Sequence, residues 1–236
     1  FSVSAFYKDF KNPIELQALA NNSNIYKNAK SGTDYGVEFE FRSLLSTMTG
    51  MKERKFFDDL TLYANLAVIR SKVDISNLFE TPYAIEDTPM QGQSPFVLNA
   101  GILYTNTEAG WSFSANLNRI GDRISIHANQ TLGNPVAGFW EKARTLLDLQ
   151  LAKTLFNKKL EFKINLQNAL AQDLILYQNN YELSSTANQV KGFKAFTNKM
   201  ILGDSQNKNG YDSSYDDLNA RIKFGSTYSF TLTYSF

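Results

Sequence analysis

Within residues 225–236, apolar and polar residues alternate without a break from Thr227 onward. The even positions are Tyr228, Phe230, Leu232, Tyr234 and Phe236, and the odd positions from 227 onward are all Thr or Ser. Side chains on a strand point to opposite sides in turn. A strand at 225–236 therefore has one wholly apolar face and one face of small polar groups, and it needs different surroundings on its two sides.

The same period of two recurs in seven earlier segments, which gives eight predicted strands. The other segments are 1–8, 35–42, 60–68, 96–104, 111–118, 147–155 and 160–166. No apolar run approaches the roughly 18–20 residues of a membrane helix, which excludes a helical membrane protein. Strands that cross a membrane are shorter and only half apolar, so a β-barrel remains open.

The connections between these strands alternate in length. The turns at 107–110 and 157–159 are short and the link at 49–55 is somewhat longer, whereas 12–33, 75–93, 123–142 and 178–223 are long. Outer-membrane barrels have short periplasmic turns and long extracellular loops. If the last strand ends in the periplasm, every long connection falls outside. We therefore predict an all-β, antiparallel transmembrane β-barrel. The alternative, a soluble β-sandwich, has no reason to sort its loops in this way.

Eight strands can close a small barrel by themselves, but two features favour part of a larger one. Phe1 already lies within a strand pattern, and no leader precedes it. Bulky charged residues such as Glu38, Glu40 and Arg42 share one face, which suits a wide polar lumen. We therefore expect residues 1–236 to be the C-terminal part of a larger barrel, without its first strands or an N-terminal domain.

Little in the sequence suggests enzyme chemistry. The net charge of +1 provides no field for nucleic acid, and the chain has no cysteine. The single histidine, His127, has no triad or zinc-site partners in the sequence and is expected on the surface of a loop. Glu38 and Glu40 fit lumen-facing charge better than acid–base catalysis. We predict no enzyme activity and no cofactor. Gly121–Arg123 is expected to form a turn or bulge within a strand.

Two further patterns have competing interpretations. Residues 204–217 are rich in side-chain oxygens around a glycine, as a calcium loop requires, but their spacing fits poorly and a hydrated extracellular loop is favoured. Aromatic residues near strand ends would form interfacial girdles in a barrel and ordinary core in a soluble protein. These residues are Tyr104, Trp111, Trp140, Tyr228, Tyr234 and Phe236. Trp111 follows a tight turn, which favours the girdle, whereas Trp140 could instead fold into a loop.

Several segments resemble the late barrel strands of TonB-dependent outer-membrane receptors. The similar subfamily is the large-barrel, SusC-like kind with an N-terminal carboxypeptidase-regulatory-like domain. The matching segments are 91–104 (QGQSPFVLNAGILY), 117–124 (LNRIGDRI), 139–144 (FWEKAR), 147–151 (LDLQL), 165–170 (NLQNAL), 223–225 (KFG) and the terminal aromatic strand. Their order and spacing cover nearly the whole chain.

The resemblance implies a 22-stranded barrel in the bacterial outer membrane, plugged by an N-terminal domain, that imports a nutrient with energy relayed through TonB. A siderophore, a glycan or a peptide would each be a suitable substrate. Candidate substrate contacts in the long loops are Tyr83, Trp140, Tyr211 and Tyr215. The implied partners are the lipid bilayer, the TonB complex and a surface lipoprotein. The alternative is a barrel that serves only as a structural or docking component.

The terminal Phe236 resembles the C-terminal aromatic residue that the outer-membrane insertion machinery recognises. Deletion of Phe236 should therefore lower the amount of folded barrel in the membrane. Heat-modifiable mobility of the full-length protein in membrane fractions measures this amount, and an unchanged level would contradict the assembly role.

Overall fold

The computed structural model of the protein describes residues 1–19, 23–51, 54–78, 88–128, 137–179, 211, 213 and 216–236. Within these residues the chain is almost entirely β-structure. The strands are β1 (Ser2–Lys11), β2 (Ile14–Ala18), β3 (Asn24–Asn28), β4 (Ser31–Leu44), β5 (Leu60–Asp74), β6 (Phe96–Asn106), β7 (Trp111–Ile120), β8 (Arg123–Ile126), β9 (Phe139–Glu141), β10 (Arg144–Leu155), β11 (Leu160–Gln167), β12 (Leu174–Gln178), β13 (Asp217–Ile222) and β14 (Thr227–Tyr234). The described residues also form two short helices, α1 (Leu45–Thr49) and α2 (Lys55–Asp58), and a 3-10 turn at Ser76–Leu78. No described helix is long and apolar enough to cross a membrane.

All eight strands predicted from the alternation lie in one antiparallel sheet, which confirms that part of the prediction. Its order is β1-β4-β5-β6-β7-β10-β11-β14, so each of these strands pairs with its neighbours in the chain. β1 and β14 form the two edges of this sheet, which is not closed within the chain. Seven strand spacings separate the two edges, and no ladder joins β1 to β14 among the described residues.

The two faces of this sheet differ as the alternation predicts. On β14, Tyr228, Phe230 and Leu232 are 65–68% exposed, and they align with Leu166, Ile164 and Phe162 of β11. We call this side the apolar face. The opposite, polar face carries hydrogen-bonded and ionic pairs: Ser2–Glu40, Ser4–Glu38 and Glu161–Lys163. So many large exposed apolar side chains are not tolerated in water, and lipid is the natural cover for the apolar face.

The long connections contain strands of their own, which corrects the prediction that they are loops throughout. β2 and β3 form a hairpin between β1 and β4. β8, β9, β12 and β13 form a four-stranded sheet in the order β13-β12-β9-β8. That order repeats β14-β11-β10-β7, and each short strand adjoins its long counterpart in the chain. The small sheet is therefore a continuation of the large one past its outer end, by which we mean the end with the long connections.

A short break separates the two sheets, and Asn168 holds it together. Asn168 has a positive φ of 49°, so its backbone turns out of the strand. Its N–H donates to Asp148 Oδ1 at 2.8 Å, and its Nδ2 donates to the carbonyl oxygen of Gly225 at 2.8 Å. The hydroxyl of Ser226 donates to the Asn168 carbonyl at 2.8 Å. Asn168, which follows β11, is thus bonded both to β10 and to the residues that precede β14. These bonds satisfy backbone groups at the level where the ladder of the large sheet ends.

The opposite end of the sheet has the short turns that the sequence predicts. Trp111 is 43% exposed and follows the turn after β6, and the Lys153 ammonium lies 4.6 Å from the centroid of its ring. A half-exposed indole beside a lysine is typical of a membrane interface. This arrangement agrees with the girdle interpretation of Trp111. Trp140, by contrast, is 1% exposed within β9 of the small sheet, so it does not belong to a girdle.

Gly36 provides a test of the tight packing on the polar face. A Cβ atom on Gly36 would collide with the carbonyl oxygen of Val68 and would lie 2.9 Å from Cζ of Phe6. We expect Gly36→Val to lower the free energy of unfolding by about 1–3 kcal/mol, since neither backbone nor ring can withdraw without cost. Thermal unfolding of the full-length protein in detergent measures this. Ala5→Val, at an exposed position on the apolar face of β1, is the matched control and should change stability little. Equal losses in both variants would contradict the packing argument.

Candidate functional site

The inner part of the small sheet is an aromatic cluster. Cross-strand pairing places Ile124, Trp140 and Tyr177 side by side on β8, β9 and β12, and each is at most 2% exposed. The Tyr211 ring packs on this cluster, with its centroid 5.3 Å from that of Tyr177. The pairing of Ile124 with Trp140 and of Trp140 with Tyr177 places the three side chains on one face of the small sheet. We call Trp140, Tyr177, Tyr211 and Lys142 the aromatic site.

Lys142 gives the aromatic site a positive charge. Its ammonium lies 5.4 Å from the centroid of Tyr211, within the distance at which a cation interacts favourably with a ring face. Tyr211 itself is only partly buried, so it is the member of the site that a ligand from the outer end could reach. A ring beside a cation can stack on a sugar or a planar group and can attract an anion.

The predicted substrate contacts have different positions. Trp140 and Tyr211 are brought together in the aromatic site, as no sequence pattern had suggested. The Trp140 indole is covered there, so its role as a substrate contact stays a prediction that would need the cluster to open. Tyr83 and Tyr215 lie outside the described residues, as does most of the predicted calcium segment 204–217. Among the residues that are described, no group of three or more His, Cys, Asp or Glu side chains is placed to hold a metal ion.

Asp122 lies in the break next to the aromatic site, beyond the end of β7. It is 7% exposed and accepts a hydrogen bond from the backbone N–H of Ala143 at 2.7 Å. Burial raises the pKa of the Asp122 carboxyl to about 6, although that hydrogen bond and the nearby charges of Lys142 and Arg119 act in the opposite direction. The Asp122 carboxyl therefore joins the connection between β7 and β8 to the connection between β9 and β10.

The expectation that His127 lies on the surface of a loop is wrong. His127 is 1% exposed, and its Nε2 lies 2.7 Å from Oε2 of Glu15. Glu15 is equally buried, on β2. The two residues are 112 positions apart in the chain, so nothing local in the sequence could indicate the contact. A hairpin that belongs to the first long connection supplies the partner.

The polar face of the large sheet contains a second candidate surface. Tyr63 donates a hydrogen bond to Asn116, and Asn118 donates to Asn99 at 2.7 Å. Together with Asp148 these groups line a shallow cavity. A row of amides and a carboxylate on an open face is suited to hydrogen bonding with another protein segment or with a polar solute.

The sequence matches the model of the family described as "TonB dependent receptor-like, beta-barrel" over residues 1–169. This chain belongs to the TonB-dependent receptor family. No curated protein matches the sequence. Members of the family are outer-membrane β-barrels that act as receptors and transporters, and the fold described above is that of a receptor barrel wall.

Solved structures agree with the receptor fold at low sequence identity. The copper transporter OprC is 14% identical with a TM-score of 0.52, and 99% of this chain aligns with 29% of that structure. A mutant of the ferric enterobactin receptor PfeA from Pseudomonas aeruginosa, in complex with enterobactin, is 16% identical with a TM-score of 0.53. Again 99% of this chain aligns with 29% of that structure. The present receptor chain thus spans less than a third of the length of the structures it matches.

Asp122 predicts a defined pH dependence for this receptor. Its pKa is raised on folding, so the folded chain holds the proton more tightly and stability falls as the pH rises from about 4 to about 6. Asp122→Asn cannot ionise and keeps an acceptor for the Ala143 N–H. The variant should therefore gain stability relative to the wild type over this interval, by about 3 kcal/mol at most. Thermal unfolding in detergent at pH 4 and pH 7.5 measures the difference.

Asp148→Asn is the matched control for that experiment. Asp148 also accepts a backbone N–H at the break, from Asn168 at 2.8 Å, but its side chain is exposed. It should show no comparable change between the two pH values. A pH-independent difference between Asp122→Asn and the wild type would contradict the buried-carboxyl assignment.

Proposed function

We propose that residues 1–236 are the C-terminal wall of a TonB-dependent transporter that imports a nutrient across the bacterial outer membrane. The observation that carries this is an open-edged antiparallel sheet whose apolar face has exposed large hydrophobic side chains on seven of its eight strands, all but β6, in a chain of the receptor family. In a closed barrel each backbone N–H and C=O is paired within the sheet, which a bilayer demands. The edges β1 and β14 would pair with the strands of the remaining barrel.

The finer architecture in this proposal comes from the sequence. The segments 91–104 and 139–144 resemble large-barrel, SusC-like receptors, which have 22 strands, a plug and an N-terminal carboxypeptidase-regulatory-like domain. In such a barrel the polar face of this chain would line the lumen. The amide row of Asn99, Asn116 and Asn118 would then contact the plug or solutes that pass it. Contact between that plug and TonB would supply the energy for import.

The aromatic site supports the three proposed substrate classes. Tyr211 is accessible, rests on Tyr177 and lies beside the Lys142 ammonium, so it offers a stacking surface with a positive charge. A siderophore, a glycan and a peptide each present a ring, a carboxylate or another planar group that fits this combination. Tyr83 and Tyr215 are further candidates in the same long connections.

A docking barrel without import is the second candidate, and one observation favours it. On β13 of the small sheet, Leu218 and Ile222 are 51% and 44% exposed, although this sheet lies beyond the outer end of the large one. Apolar side chains at that level can contact a partner protein. A surface lipoprotein would be a suitable partner, and it is also compatible with import.

Uptake in cells with and without TonB separates the two functions. We expect cells that express the full-length protein to accumulate one member of a panel of ferric siderophores, oligosaccharides and peptides. A strain that lacks TonB should bind that compound but not accumulate it. Binding or lipoprotein capture without any TonB-dependent uptake across the panel would contradict import and support the docking role.

The aromatic site can be tested with the compound that such a screen identifies. Tyr211→Ala should weaken its binding about five- to tenfold, because the stacking surface is lost while the fold is retained. Tyr234→Ala, at the opposite end of the sheet on the apolar face, is the control and should leave the affinity unchanged. Equal affinities of the two variants would remove Tyr211 from the binding surface.

A further inference from the structure

The β2–β3 hairpin is attached to the rest of the chain at its base and again at a distance. Its base lies on the polar face: a Cβ on Gly32 would be 3.4 Å from Pro13 Cγ and 3.2 Å from Met90 Sδ. Gly32 shares that face with Glu38 and Glu40, since all three are even positions of β4. The Ala29 N–H donates to the Pro13 carbonyl at 2.7 Å, which closes the hairpin at its base.

From this base the hairpin extends across several strands to the end of β8. His127 forms a parallel bridge with Gln17, and its backbone N–H donates to the Leu16 carbonyl at 2.9 Å. β8 continues β7, whereas the hairpin arises beside β4. Three strand spacings of about 4.8 Å separate β4 from β7, so the hairpin spans roughly 14 Å of the sheet's outer end.

A buried polar junction fastens the far side of the hairpin. Glu15 Oε2 lies 2.7 Å from Nε2 of His127 and accepts from the Gln91 N–H at 3.0 Å. The Gln91 side chain accepts from the Leu16 N–H at 3.1 Å and donates to the Ser125 carbonyl. Three separate segments of the chain therefore meet at one carboxylate and one amide side chain. We call these residues the Glu15 junction.

The burial of these polar groups makes the closure of the junction specific. Glu15 and His127 are each 1% exposed, and buried polar groups are stable only while their hydrogen-bond partners are present. When the hairpin leaves, both groups return to water, where each is well solvated. The junction therefore favours two states, fully seated or fully released, rather than a gradual loosening.

We propose that the β2–β3 hairpin is a strap across the outer end of the polar face, and that release of the Glu15 junction opens the path for the imported compound. This proposal rests on the import function. It assigns to Glu15, Gln91 and His127 a role in access rather than in contact with the substrate. The aromatic site is on the small sheet, to which the strap is fastened through His127.

The first test measures access without any transport. A reporter, Ser71→Cys, is placed on the polar face of β5, where Ser71 accepts a hydrogen bond from the Met90 N–H at 3.0 Å. The sequence given has no cysteine of its own. In the full-length protein in cells, modification by a membrane-impermeant maleimide should be at least fivefold faster when Glu15→Gln is added. Heat-modifiable mobility confirms that the barrel is folded.

Glu161→Gln is the matched control, because it removes a carboxylate from an ion pair with Lys163 that lies on β11, away from the strap. It should leave the modification rate unchanged. His127→Gln should behave as Glu15→Gln does, since it removes the other half of the same pair. If neither variant accelerates modification, the Glu15 junction does not hold a strap and the proposal fails.

The second test locks the strap. Gln17→Cys with His127→Cys places two cysteines at a bridged pair, where an oxidant can join them. Oxidised cells should lose at least nine-tenths of the uptake of the identified compound, and a reductant should restore it. Equal uptake in both states contradicts the strap. Absence of uptake in the wild type contradicts the import function instead. In that case the rates of maleimide modification alone test whether the hairpin acts as a strap.

Discussion

The backbone hydrogen-bond ladder of the eight-stranded sheet is the constraint on which the other features depend. In lipid no water is available to satisfy an open N–H or C=O, so each strand must keep a partner on both sides. That requirement fixes the antiparallel order β1-β4-β5-β6-β7-β10-β11-β14. Since side chains alternate with a period of two, a slip of one residue would turn a whole apolar stripe toward the lumen. The register between β11 and β14, where Ile164 faces Phe230, is therefore set by the contrast between the two faces.

The strands of the large sheet do not all end at the same level. β7 and β10 have 10 and 12 residues, close to the roughly 9–11 of a membrane-spanning strand, whereas β4 and β5 continue for 14 and 15. The chain leaves β7 just before Asp122 and β11 just before Asn168. Both residues replace lost ladder bonds with side-chain bonds to a neighbouring segment: the Asp122 carboxylate accepts from the Ala143 N–H, and the Asn168 amide donates to the Gly225 carbonyl. The small sheet then continues the same strands in a new direction, with its aromatic residues packed against each other instead of against lipid.

Sequence periodicity predicted the eight long strands because each one separates an apolar from a polar environment along its entire length. β8 and β9 were missed for the opposite reason. They have 4 and 3 residues, too few for a period to be visible, and their inner face is covered by a residue as distant as Tyr211. At Gly121–Arg123, where a turn or bulge within a strand was expected, the chain leaves β7 at Gly121 and enters β8 at Arg123, and the register shift lies between Ile124 and Ile126 instead. The burial of His127 could not be foreseen, since its partner Glu15 arrives from another connection.

A buried contact between Glu15 and His127 fastens the β2–β3 hairpin, where an apolar contact would also hold, and this difference has a physical consequence. Apolar side chains such as Ile14 and Tyr26 are exposed on the opposite face of the hairpin, so the hairpin had apolar groups available. An apolar contact loses free energy in proportion to the area it exposes, and it tolerates sliding. The Glu15 junction is satisfied in one arrangement only, and its groups are hydrated as soon as they separate. A strap of the proposed kind, which is seated in one place and released from it, is better held by such a pair than by an apolar patch.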